Sequence, residues 1–193
     1  MKLSPQQMVK HTKRMADNMK IARNARVAVG LPAEKVGGQV YGNGMTVVAI
    51  GATHEFGATF MHPGGTGYIV ENGKAKFVSS SRGGAVAGFT KAHMITIPRR
   101  SFLRVPFQIK ADEMDEAVAN QFRMVFEKGT DAKKALGLIG TIAVNIVKGA
   151  FVSRGYGAWP DIKPSTKKAK GSSQLLVDNG ILRGSITYVV RGA

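Results

Sequence analysis

The chain reads as an α+β protein: a small, mostly antiparallel sheet packed against two long helices, with a glycine-rich loop or hairpin insertion. Three observations predict this. Residues 106–154 repeat apolar side chains at three- and four-residue steps across two consecutive stretches, the signature of helices with one buried face. Short alternating runs at Val27–Leu31, His93–Ile97 and Ile186–Val190 lie far apart in the chain, as strands dispersed among helices do. The 24 Gly and 7 Pro among 193 residues exceed the usual share, and their turn signals crowd into 58–92. A hydrophobic content of 44% supplies one core, and the length suits a single domain, 1–193.

Ser4-Pro5 opens an N-terminal helix within 1–24, because Ser can accept from free amides and Pro suits the first helical position. Met8, Met15, Met19 and Ala22 then share one face. Val27, Val29 and Leu31 alternate as a strand that Pro32 stops. Residues 45–57 carry both strand and helix signals. A helix is preferred, since Val48, Ala52 and Glu55-Phe56 make a helical stripe closed by Gly57. From Ala58 to Ala92 the sequence turns irregular, with Tyr68–Val70 and Lys76–Val78 able to pair as a hairpin around Asn72-Gly73. HMITI, 93–97, is a strand ending at Pro98.

Phe107, Ala111, Met114, Val118, Phe122 and Val125 mark the first long helix, ended by Gly129. Thr130 is positioned to cap the second, whose broad apolar face runs from Leu136 to Ala150 and which Gly155 closes. Its most apolar run, Leu136–Val147, is shorter than the roughly 20 residues of a membrane span. Residues 155–173 form a basic loop, a short turn or helix follows at Asp178–Arg183, and the closing strand carries Ile186, Tyr188 and Val190.

With 28 Lys+Arg against 12 Asp+Glu, the net charge is +16, which suits nucleic acid, an acidic protein surface or an anionic membrane. The cations cluster in 1–26, at Arg99, Arg100 and Arg104, and at Lys163, Lys167, Lys168 and Lys170, which are candidates to face DNA or a partner. No aromatic residues alternate with these clusters, so a stacking platform for single strands is not indicated. The absence of Cys excludes disulfides, thiolate nucleophiles and Cys-ligated metals.

The search for catalytic chemistry is negative. His54-Glu55 lacks the second His of a zinc helix, because position 58 is Ala. His11, His54, His62 and His93 are scattered, so no metal set is expected. Gly67…Gly73-Lys74 has one residue too many for a phosphate loop and Ala75 where Ser or Thr would hold magnesium. Gly42-Asn43-Gly44 fails as a dinucleotide motif at Val47. The acids Asp112, Glu113, Asp115 and Glu116 begin a helix, where they favour its dipole. No catalytic, metal-binding or cofactor-binding residue is assigned, and no enzyme activity is expected.

Three segments, in order, carry a resemblance: VAIGATHEFG at 48–57 leading into HPGGT, IPRRSFLR at 97–104, and LVDNGILRGSITY at 176–188. Together they resemble the virion morphogenesis proteins of tailed bacteriophages, the tail-completion or neck proteins. That family's hallmarks are an H-E-F-G turn, an I-P-x-R-x-F-L-R segment and a closing L-x-D-T-G-x-L-x-x-S-I-T-Y run. The resemblance covers roughly residues 25–190, departs at Asn179 where Thr is usual, and is looser over about 66–92. It implies a structural protein in a ring of six at the head–tail junction or the top of the tail. The implied partners are other copies of itself, the tail terminator or tail tube, the head–tail connector, and genomic DNA in the lumen, with no membrane. The implied location is the virion, assembled in the bacterial host cytoplasm. The signature residues it singles out are His54, Glu55, Phe56, Gly57, Pro98, Arg99, Arg100, Phe102, Leu103, Arg104, Asp178, Gly180, Leu182 and Ser185. Among them, Phe102-Leu103 is expected to be a buried pair, Arg104 to hold a carboxylate or helix end within the subunit, and Arg99 and Arg100 to face an interface. The alternative reading is a non-specific basic DNA-binding protein, whose affinity would fall steeply with salt.

Overall fold

In a computed structural model, residues 4–42, 44–78, 86–162, 164 and 180–193 are described. They divide into two compact units, 1–56 with 99–193, and 57–98. The first unit starts with α1 (Pro5–Asn24), where Ser4 accepts from the Gln7 amide and the Gln7 side chain bonds back to the Ser4 amide, a reciprocal cap. β1 (Arg26–Gly30) leads into one turn of helix, α2 (Ala33–Val36). The ambiguous stretch is helical, α3 (Val47–Phe56).

The first long helix is broken where the apolar repeat alone is continuous. A short α4 (Arg104–Ile109) gives way at Lys110, with φ −109° and ψ 28°, to α5 (Ala111–Lys128). Gly129 ends α5 at φ 65°, the left-handed conformation a helix-closing glycine supplies. The cap of α6 (Ala132–Val152) is Asp131, which accepts from the Lys134 amide at 2.9 Å, and not Thr130. Thr130 is engaged in closing α5 instead: its amide bonds the Met124 carbonyl at 3.1 Å. A further short helix, α7 (Ile181–Ser185), precedes the last strand.

α6 is the spine of this unit. It packs on α5, on β1 and on the antiparallel partner of β1, with Val27 opposite Val190 and Val29 opposite Tyr188. At 21 residues and a mean hydropathy of 1.8 over its most apolar window, α6 is long and apolar enough to cross a membrane, more than the Leu136–Val147 run suggests. Half of that window is buried inside the unit, as in a core helix. A Cβ on Gly140 would collide with the Tyr188 ring, so glycine is what lets helix and ribbon approach. The core gathers Val47, Phe102, Val144, Val147, Phe151, Trp159, Leu182 and Ile186. Phe151 stacks edge-on to Trp159 at 5.6 Å and lies 5.4 Å from Phe102.

The second unit is two small antiparallel sheets. Ala58–His62, read as irregular from the sequence, is a strand (β2) paired along its whole length with β6 (His93–Ile97). Its partner stands more than thirty residues away, a pairing no local pattern encodes. The hairpin is as expected: β3 (Gly67–Glu71) and β4 (Lys74–Phe77) flank Asn72 and Gly73, at φ 51° and 69°. β5 (Gly88–Phe89) adds to the other edge of β3, and β7 (Thr187–Arg191) is the partner of β1 in the first unit.

Candidate functional site

The signature residues build a clasp around one carboxylate. α3 delivers Glu55 at its last turn, 3% exposed, to the start of α4. A helix of six residues leaves its first amides without intrahelical acceptors. Here the Glu55 carboxylate supplies an acceptor for the first of them, Arg104 (3.3 Å), and also accepts from the amides of Phe102 (2.8 Å) and Leu103 (2.9 Å) that lead into the helix. The Ser101 hydroxyl donates to it at 2.7 Å and Arg104 Nε at 3.1 Å. Ser101 Oγ in turn accepts from the Val105 amide, so Glu55 caps α4 from a distance of nearly fifty residues in sequence.

Burial pushes the Glu55 carboxyl up, and the hydrogen bonds from Ser101, Leu103 and Arg104 more than offset it, leaving the group below its ordinary range. Five donors occupy both oxygens. A carboxylate held ionised and saturated in this way is a strong clamp and a poor proton acceptor.

Arg104 therefore does what its sequence position suggests, binding a carboxylate within the subunit, and its guanidinium also lies 5.0 Å over the Phe56 ring. Arg100, expected at an interface, is 5% exposed and spent inside the unit. Its amide donates to the His54 carbonyl at 2.7 Å, and its guanidinium to the carbonyls of Pro160 and Asp161 at 3.0 and 3.2 Å. A planar, always charged guanidinium can satisfy two carbonyls at once, which is why Arg tolerates this burial. Arg99 and Pro98 are exposed, and Gly57 follows α3 at φ 76°. Trp159 completes the seam by donating its indole N–H to the Ser101 carbonyl at 3.0 Å.

Phe102 is fully buried and Leu103 partly so. The third signature segment joins them. Gly180 starts α7 at φ 72°, Leu182 is buried, and the buried Ser185 hydroxyl bonds Gln39 Oε1 at 2.6 Å. Gly51 of α3 is where all three meet: a Cβ there would press on Leu31, Leu182 and Phe102. Asp178 and the basic candidates Lys163, Lys167, Lys168 and Lys170 lie outside the described residues.

The sequence reading did not single out Asn18, which is 3% exposed. Its amide donates to the Thr130 carbonyl at 3.0 Å and accepts from the Ala132 amide at 3.2 Å, fastening α1 across the α5–α6 turn. The available signal was a polar residue next to the helical stripe formed by Met15, Met19 and Ala22. Among the described residues no group of three or more His, Asp or Glu is placed to hold a metal ion. Compared with known proteins, the chain matches no family model, no curated protein and no solved structure.

Proposed function

We propose that this chain is a structural virion protein of a tailed phage, forming a ring at the head–tail junction or the top of the tail and joining tail to connector around the DNA channel. The observation that supports the reading is the clasp: 48–56, 99–104 and 180–188, the parts of the three motifs described in the first unit, pack as one physical unit with Glu55, Phe102 and Leu182 at its centre. The second unit supports assembly. Its two-stranded ribbon and three-stranded sheet leave Phe60, Met61, Phe77, Phe89 and Met94 between 45% and 67% exposed. Sheets this small gain independent stability by covering such faces, and neighbouring ring subunits and partner rings would do so.

Light scattering on the purified chain, alone and mixed with isolated tail tubes, tests the proposal. Rings, or a monomer that joins tube ends only, are the expected results. A monomer that ignores tubes but binds duplex DNA at physiological salt, with an affinity that falls steeply as salt rises, would replace the junction reading with the DNA-binding one that the +16 charge suggests.

A further inference from the structure

The first half of α1 is exposed, and no described residue of its own chain buries it. Every residue from Pro5 to Arg14 is exposed, Met8 at 50% and Val9 at 70%. The helix is fastened only further along: Ile21 packs on Val125, Ala132 and Ala135, Asn18 bonds Thr130 and Ala132, and Arg14 lies against Gly129. Followed toward its N-terminus, α1 thus moves from α6 to the α5–α6 turn and then beyond it. The projecting arm carries Lys10, His11, Lys13 and Arg14 and no acid before Asp17.

A complementary surface stands at the other end of the same helix pair. An open groove of about 270 Å³ is lined by Val27, Val29, Phe107, Met114, Ile139 and Ala143, all apolar. Met114 sits among Asp112, Glu113, Asp115 and Glu116, each exposed; Glu113 pairs with Lys110 at 2.9 Å, and the other three leave the groove beside the densest run of acids in the sequence. The arm cannot reach its own groove. Met114 lies 15 residues before Gly129 along α5, roughly 22 Å at 1.5 Å per residue, and the arm points away from it.

We infer that residues 5–15 of one copy dock as a helix in the Val27–Met114–Ile139 groove of a second copy. Met8 and Met15 would enter the groove, and the long Lys10 and Lys13 side chains would reach around to the acids of α5. The two surfaces differ and lie toward opposite ends of the α5–α6 pair, so the contact is head-to-tail, the kind that closes a ring when the rotation permits. As a ring contact it rests on the junction reading; as a contact between copies it stands without it.

Because the chain has no cysteine, a designed pair is the sole thiol source. In the full chain, M8C/M114C should oxidise into a ladder of dimers and higher multimers, while M8C or M114C alone should stop at dimers. Adding K10E/K13E should weaken the ladder at least tenfold at low salt; Arg14 is spared because it packs on Gly129. M8C/V152C, with Val152 70% exposed, sets the level of random collision. Circular dichroism checks the fold, and D115C, exposed beside Met114, replaces M114C if that variant unfolds. A ladder no stronger than the Val152 control, or a disulfide closed within the monomer, overturns the contact. Chains that form rings on tail tubes without this ladder would overturn the contact and leave the junction reading standing. A ladder from chains that ignore tubes would do the reverse.

Discussion

The two units are held together by different physics. The unit made by 1–56 and 99–193 contains every buried hydrophobic side chain among the described residues, from Val36 to Ile186. In 57–98 no described residue is buried, although its strands pair in register. Backbone ladders without an apolar core contribute little net stability, because water competes for the same bonds. The contrast is one of burial: one unit has an apolar core, and the other leaves its large apolar side chains exposed.

Substitutions can break this contrast, and the largest effect belongs at the meeting point of the clasp. Phe102→Ala, at 0% exposure, should cost about 3–5 kcal/mol in chemical denaturation. Glu55→Gln should cost about 2–4 kcal/mol, since it leaves Ser101, Arg104 and three amides facing a neutral group. That loss should depend on pH in one direction. The folded carboxyl titrates below its ordinary value of 4.5, so its contribution is complete above that pH and disappears as acid passes the folded value. Denaturation curves of the wild type and E55Q should therefore converge on acidification; parallel curves down to strong acid would remove the charge from the account. Gly140→Ala comes next, at about 1–3 kcal/mol, because the new methyl meets the Tyr188 ring where α6 packs on β7. Phe77→Ser, at 67% exposure in the second unit, should change stability by less than about 0.5 kcal/mol. A loss comparable to that of F102A would mean that 57–98 has a core after all.

Local patterns in the sequence carried much of the first unit and the hairpin of the second. Ser4 and Gly129 act as the helix ends their chemistry suggests, and Asn72-Gly73 turns the hairpin. What stayed hidden depends on partners distant in the chain. The break at Lys110 leaves the apolar repeat of α4 and α5 in step, so periodicity reads straight through it. β2 is defined by β6, and Thr130 yields the cap to Asp131 because the preceding helix uses it. In the candidate site, Arg104 was legible as the partner of an acid, but nothing nearby in sequence says that Arg100 turns inward to the carbonyls at 160 and 161.

Hydrogen exchange on the whole chain, free and bound to tail tubes, tests the contrast between the two units most directly. The account predicts slow amides at Phe102–Arg104 in both states, with amides of 58–62 and 93–97 exchanging quickly in the free chain and slowly on the tubes. Equal protection of the two regions in the free chain, or no slowing of 57–98 on the tubes, would contradict it.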